Sequence, residues 1–119
     1  MTAVDTVRAE LDRLAAIANR PRWEDDGTLA IAKELREQGV TGRRNNRWDC
    51  PLARHLSRIA GTRVGVTRYE VIIPTTTGRV VLPLNQPPGN LLRVRRFVTE
   101  FDDNPRRFRW LREPDNAAA

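Results

Sequence analysis

The chain has 119 residues, of which 39% are hydrophobic and 30% charged, and its formal net charge is +6. This length fits one compact domain, and 29 Leu, Ile, Val and Phe residues place the composition above that typical of disordered proteins. One cysteine and one histidine cannot provide a disulfide or a usual zinc site, which excludes disulfide scaffolds and zinc fingers. No apolar run approaches a membrane span and no signal peptide follows Met1, so we predict a cytoplasmic protein that binds no membrane, metal or cofactor.

The positive charge is concentrated in one part of the chain. Residues 1–41 carry six basic and eight acidic side chains, whereas residues 42–61 carry five and one. Twenty of the 21 basic residues are arginine, a preference that a GC-rich genome explains as well as phosphate recognition does. Codon usage does not explain the clustering, so the sequence indicates a basic surface that begins at Arg43.

Two helices are predicted ahead of this basic segment. Thr2, three residues before Asp5, marks an N-terminal cap, and apolar residues spaced three and four apart predict a helix over residues 3–18. A turn at residues 25–28 precedes a second predicted helix over residues 29–38, which ends at a glycine followed by a valine.

The basic segment itself is predicted to form a loop followed by a helix. Residues 41–48 have no hydrophobic period and contain three arginines, which indicates an exposed loop. Asp49 is the predicted N-cap of a third helix over residues 50–60. The apolar side chains share one side of this helix, while Arg54, Ser57 and Arg58 lie on the opposite side.

The hydrophobic period then changes from helical to alternating. Residues 64–66 and 69–73 form two predicted strands, and the alternation places Tyr69 on the apolar side of the second. Residues 79–82 return after a turn at residues 75–78. The sequence therefore predicts a small antiparallel sheet of two or three strands.

A fourth helix and a basic tail complete the predicted fold. Asn90 is the expected cap of this helix, which we expect to cover the sheet. In the tail, Phe108 and Trp110 alternate with arginines and are interpreted either as packing groups or as stacking groups for a partner. The prediction is one α+β domain over residues 1–112, with three N-terminal helices, and a disordered tail over residues 113–119.

The order helix, helix, loop, helix, hairpin resembles a winged helix-turn-helix, whose third helix enters the major groove of duplex DNA. In this interpretation the loop arginines bind phosphates, the third helix faces the base edges, and the hairpin tip touches the DNA backbone. A ten-residue loop ahead of the third helix is longer than a compact motif of this kind uses. The predicted nucleic-acid-binding residues are Arg43, Arg44, Arg47, Arg54, Ser57 and Arg58.

Other interpretations remain open at this stage. The same arginines suit a protein-protein adaptor whose basic face meets an acidic partner, or an ordinary solvated face. Cys50 at a helix N-terminus would gain reactivity from the helix dipole, but Asp49 opposes this effect and His55 lies about 140° around the helix. We therefore predict a non-enzymatic DNA-associated accessory or regulatory protein with no catalytic residue; its oligomeric state and DNA site are not predicted.

Three short motifs are found between residues 40 and 110. They are a Cys-Pro-Leu-Ala-x-x-Leu helix start at residues 50–56, a Leu-Pro pair at residues 82–83, and a Phe-Val-x-x-Phe-Asp helix at residues 97–102. Together they resemble small uncharacterised proteins of high-GC Gram-positive bacteria and their phages, in which an aromatic residue usually replaces His55. The resemblance implies an α+β domain in an actinobacterial or phage-related setting and a structural role for Cys50 at the helix start, and it implies no activity.

Overall fold

The computed structural model describes residues 2–20, 27–85 and 89–113. These residues form an α+β fold of four helices and one three-stranded antiparallel sheet, as the sequence predicts. The elements in chain order are α1 (Ala3–Ala18), α2 (Thr28–Glu37), α3 (Pro51–Ala60), β1 (Gly65–Val66), β2 (Glu70–Thr75), β3 (Gly78–Pro83), α4 (Leu92–Asp103) and a 3₁₀ turn (Arg109–Leu111). Among these helices none has both the length and the apolar character that crossing a membrane requires.

The first two helices end as their sequences indicate, with one exception. Thr2 and Asp5 form the predicted capping box of α1. The predicted C-terminus of α2 is also confirmed, because Gly39 adopts a left-handed φ of 72° and the Val40 amide donates to the Leu35 carbonyl at 3.0 Å. The start of α2 differs: Gly27 is its N-cap and provides no side-chain hydrogen bond, and the predicted turn residues 25–26 lie outside the described residues.

The predicted N-cap of α3 was wrong by one residue. Cys50, and not Asp49, takes the cap position, and its Sγ accepts from the Ala53 amide at 3.4 Å. Pro51 explains the difference, because a residue before proline is driven to extended backbone, and a capping residue needs that conformation. Cys50 has φ −68° and ψ 160° accordingly. The helix therefore starts with Pro51 in its first turn.

The sheet has the order β1-β2-β3, and the two-residue turn between β2 and β3 confirms the predicted hairpin. Tyr69 departs from the prediction, because β2 begins one residue later and the residue is 55% exposed. The Thr67 amide donates to the Glu70 carbonyl at 2.9 Å, so residues 67–70 form a tight turn and the alternation does not extend to Tyr69.

One continuous core joins the helices to the sheet, and the side chains at its centre include Leu11, Ile31, Leu56, Ile73 and Phe97. α1 packs on the other three helices, and α4 packs mainly on α1 and α2 rather than over the sheet as predicted. On the sheet, a Cβ added to Gly65 would lie 3.0 Å from the Trp48 ring. The loop before α3 is therefore packed against β1 through Trp48.

The last helix and the tail also differ in part from the prediction. α4 has Leu91 as its N-cap and no side-chain cap, so the assignment of that role to Asn90 was wrong. The tail packs on the body, because Phe108 is 4% exposed and lies 5.5 Å from Phe97 between ring centroids. Leu111 is fully buried.

Candidate nucleic-acid interface

Three of the predicted residues, Arg43, Arg54 and Arg58, gather around the loop that follows α2. We call them the arginine face. Arg43 Nε and Arg54 Nη2 both donate to Glu113 Oε2 at 2.9 Å. Arg54 and Arg58 line a groove of about 220 Å³ together with residues 39–41. The structure thus brings the first loop arginine and both arginines of α3 to one region.

The backbone explains why Arg43 and Glu113 meet. Gly42 forms a parallel bridge with Arg112, in which the Gly42 amide donates to the Leu111 carbonyl at 2.8 Å and the Glu113 amide donates to the Gly42 carbonyl at 2.9 Å. A Cβ on Gly42 would lie 2.3 Å from the Pro51 nitrogen, so only glycine fits between the tail and the start of α3. Arg43 follows Gly42 and Glu113 follows Arg112, so the bridge brings the two members of the ion pair close together.

Glu113 occupies the position of an anionic ligand on the arginine face. The hydrogen bonds from Arg43, and then from Arg54, hold the pKa of its carboxyl group below its usual value. Its side chain is 30% exposed, and that of Arg43 is 63% exposed, so an anion from solution can approach the same donors. Two guanidinium groups that converge on one carboxylate oxygen have the donor arrangement that a phosphate group also requires.

The two arginines of α3 also stabilise the end of α2. Arg58 Nη2 donates to the Gln38 carbonyl at 3.1 Å, and Arg54 Nη1 donates to the Thr41 carbonyl at 3.2 Å. The Gln38 carbonyl lies at the C-cap of α2, where the helix provides no partner of its own, and the Thr41 carbonyl lies in the loop that follows. Arg58 remains exposed, so part of its guanidinium faces solvent.

Arg44 points to α4. Its Nε and Nη2 donate to the Asp102 carbonyl at 3.0 and 2.6 Å, at the C-terminal end of that helix. Beside it, the amide of Asn45, a residue with a left-handed φ of 54°, donates to Asp102 Oδ1 at 2.9 Å. Arg44 therefore fastens the loop to α4, and its hydrogen bonds are made inside the fold.

Arg47 lies at a second concave surface, the Tyr69 groove. Arg47 is exposed, and within the described residues its side chain has no hydrogen bond or ion pair. Arg68 is ion-paired to Asp103 at 2.8 Å. The groove has a volume of about 580 Å³ and is lined by Asn45, Asn46, Arg47, Thr67, Arg68, Tyr69, Glu70 and Asp102. Burial raises the pKa of Asp102 at its inner wall.

Ser57 faces the interior of the fold. Its hydroxyl accepts from the Val64 amide at 2.8 Å and lies 2.7 Å from the Ala53 carbonyl, to which it donates. The side chain thus connects α3 to the chain entering β1. Its predicted contact with DNA stays a prediction, and the hydroxyl would have to break these bonds to make it.

The two residues considered for thiol chemistry have structural contacts. Burial raises the pKa of Cys50 to about 12, so the thiolate that a nucleophile requires is not formed near neutral pH. His55 is 2% exposed, and its Nε2 lies 2.5 Å from Glu10 Oε2. Among the described residues no three His, Cys, Asp or Glu side chains are grouped as a metal site requires.

The sequence interpretation did not include Glu113, Arg68 or Tyr69 in the site. Glu113 is distant in sequence from its partners, and Tyr69 was assigned to the inner side of a strand. The turn pattern of residues 67–70, with threonine first, could have indicated that Tyr69 precedes the strand. Comparisons with protein-family models, curated proteins and solved structures find no match to this chain, so the resemblance noted from the sequence stays a prediction.

Proposed function

We propose that the protein is a non-enzymatic DNA-associated accessory or regulatory protein, and that the arginine face binds the phosphate backbone of duplex DNA. The observation that carries this proposal is the carboxylate of Glu113, which is held by Arg43 and Arg54 at 2.9 Å each. A phosphate oxygen can take the place of this carboxylate oxygen and accept from the same two donors.

The surroundings of the arginine face support a backbone-binding role more than a base-reading role. Ser57, the remaining α3 residue of the predicted set, turns its hydroxyl into the fold, where it is bonded to Val64 and Ala53. Both arginines have backbone carbonyl partners that fix their direction. Phosphate contacts position a protein on DNA without selecting sequence, so we expect weak sequence preference.

The hairpin between β2 and β3 supplies a second basic point. Thr76 and Thr77 form its tip, and Arg79 follows as an exposed side chain. In a winged-helix arrangement such a tip lies along the DNA backbone beside the third helix. We include Arg79 in the proposal as a further phosphate contact.

The test is binding to a fluorescent duplex measured by anisotropy at several salt concentrations. Wild type is expected to weaken steeply as salt rises, because each phosphate contact releases condensed counterions. The double variant Arg43→Ala/Arg58→Ala should lower the slope of log K against log salt by about 0.9 for Arg58 and by up to about 0.9 for Arg43, because Glu113 competes with phosphate for Arg43. A variant that combines Arg43→Ala, Arg44→Ala and Arg47→Ala tests the predicted loop set.

The matched control is the double variant Arg8→Ala/Arg20→Ala. Both arginines are exposed, and the change lowers the net charge by the same two units away from the arginine face. An effect equal to that of Arg43→Ala/Arg58→Ala would show that only overall charge matters. Absence of duplex binding by wild type at about 50 mM salt would overturn the proposal.

A protein-protein adaptor is the second candidate, and the same ion pairs favour it. An acidic side chain of a partner could occupy the place of Glu113 between Arg43 and Arg54. A pull-down after nuclease treatment distinguishes the two functions. The adaptor requires that a defined acidic protein is retained by wild type and lost in Arg43→Ala/Arg58→Ala.

A further inference from the structure

Tyr69 is the most exposed large hydrophobic side chain in the described residues, with 55% of its surface accessible. It stands at the rim of the Tyr69 groove and contributes nothing to the core cluster. It is also the single tyrosine of the chain. An exposed aromatic ring beside a concave surface provides a flat face on which a ligand ring can stack.

The turn that carries Tyr69 is fixed at several points. Thr67 Oγ1 accepts from the amides of Tyr69 and Glu70 at 3.2 and 3.1 Å. The Arg95 Nε donates to the Arg68 carbonyl at 3.0 Å, and the Arg95 guanidinium lies 5.3 Å from the Tyr69 ring centroid. Arg68 is itself paired with Asp103 of α4. The backbone of the turn is therefore fixed before any ligand arrives, and the Arg95 guanidinium lies against the ring, which lowers the entropy cost of binding.

The groove has a basic group and acidic groups in addition to this ring. Arg47 is exposed, and its side chain has no partner among the residues that the structure describes. Glu70 and Asp102, which carry carboxyl groups, also line the groove. A ligand that fits all three features has a flat ring for Tyr69, an anionic group for Arg47 and N–H donors for the carboxylates.

We propose that the Tyr69 groove binds an unpaired nucleotide of the DNA partner, an inference that rests on the proposed function. The base stacks on Tyr69, the adjoining phosphate binds Arg47, and an exocyclic amino group donates to Glu70 or Asp102. Cytosine, adenine and guanine have such amino groups, whereas thymine has none. The partner is therefore DNA that presents a single-stranded segment beside a duplex.

An acidic peptide fits this groove less well. It could pair with Arg47, but its other carboxylates would face Glu70 and Asp102 at close range, and like charges repel. A wholly apolar ligand would offer no hydrogen-bond partner to Arg47, Glu70 or Asp102. A nucleotide provides a base for the tyrosine ring, a phosphate for the arginine and an amino group for the carboxyl groups.

The experiment compares three fluorescent DNA molecules: a blunt duplex, the same duplex with a short cytidine overhang, and the same duplex with a thymidine overhang. We expect the cytidine overhang to bind more tightly than the blunt end, and the thymidine overhang to bind less tightly than the cytidine overhang. Tyr69→Ala should weaken binding of the cytidine overhang by roughly five- to hundred-fold, the range expected for loss of one stacked base, and leave the blunt duplex unchanged.

Controls separate stacking from folding. Tyr69→Phe keeps the ring and should keep the preference for the overhang. Leu92→Ala removes another exposed apolar side chain, from a residue that is 47% accessible, and is the control for the loss of such a side chain outside the groove. Ring-labelled tyrosine gives an NMR signal from Tyr69 alone, which should shift with the cytidine overhang and stay in place with the blunt duplex.

The outcomes distinguish this inference from the proposed function. Blunt-duplex binding with no gain from either overhang, and an unshifted Tyr69 signal, would overturn the inference and leave the function standing. Failure of every duplex to bind at low salt would overturn the proposed function and the inference with it. A shift of Tyr69 caused by an acidic peptide but by no DNA would also refute the nucleotide site.

Discussion

Replacing Glu113 by Gln tests whether the tail competes with DNA for the arginine face. The substitution keeps the shape of the side chain and removes the charge that Arg43 and Arg54 both contact at 2.9 Å. Both arginines can then offer their charge to phosphates. We expect Glu113→Gln to bind duplex DNA more tightly than wild type, in contrast to substitutions of the arginines themselves.

The expected change in salt dependence is set by how many of the two arginines that contact Glu113 gain a phosphate. If Glu113 keeps one of its two arginines from phosphate in wild type, its neutralisation steepens the slope of log K against log salt by up to about 0.9, and if it keeps both, by up to about 1.8. Arg54 also lies 3.7 Å from Asp49, which retains part of its charge, so the result should lie between these limits. For each fully gained contact, the ratio of the variant's binding constant to that of wild type falls by about 3.5-fold as salt rises from 50 to 200 mM.

The assay is the anisotropy titration at several salt concentrations, with Asp12→Asn as the control. Asp12 is an exposed residue of α1, and its substitution raises the net charge by the same single unit. Equal slopes for Glu113→Gln and Asp12→Asn would refute the competition between tail and DNA. A slope unchanged from wild type in Glu113→Gln would do the same.

Three further predictions concern the fold around the site. Gly42→Ala should lower the free energy of unfolding by about 3 kcal/mol, because the added Cβ meets backbone atoms. Gly39→Ala has open space around its Cβ and should lower it by only about 1 kcal/mol, because of the positive φ at that position. Urea titration of both variants measures the difference. Burial acts to raise the pKa of Glu10, but the hydrogen bonds from Arg13 and then from His55 lower it overall. The stability that these partners add is present above the carboxyl's ordinary value of 4.5 and is lost as pH falls through the folded-state value. Glu10→Gln should therefore be less stable than wild type by about 1 kcal/mol at pH 7 and approach it in acid, and parallel stability curves at both pH values would contradict this. Cys50, with its pKa near 12, should resist a thiol reagent at pH 8 until denaturant is added, and Cys50→Ser should keep DNA binding; rapid labelling of the folded protein would contradict the assignment.

Local patterns in the sequence predicted the elements well, because helix and strand periods and glycine stops act within a few residues. The helix over residues 3–18, the hairpin turn and the glycine end of α2 were confirmed. Errors arose where a neighbour changed the local preference, as when Pro51 moved the cap of α3 to Cys50. Tyr69 was assigned to a strand because the sequence alternates through residues 68–73. In the structure a turn at residues 67–70 interrupts this alternation.

The candidate site was predictable as a set of arginines and not as an arrangement. Arg43, Arg54 and Arg58 meet, while Arg44 turns to α4 and Arg47 to a separate groove. These directions depend on partners far away in sequence, such as the carbonyl of Asp102 or the carboxylate of Glu113. Charge counting along the chain gives no information about such partners.

The bridge between Gly42 and Arg112 also has a consequence for the order of folding. It brings together segments about 70 residues apart, a separation that the ion pair of Arg43 with Glu113 shares. Contacts of such separation are costly to close, because the intervening chain loses conformational freedom before the contact returns any energy. During synthesis the loop can take its final shape only after the tail has left the ribosome. A nascent chain that does not yet include Glu113 would therefore present these arginines in an unfinished arrangement.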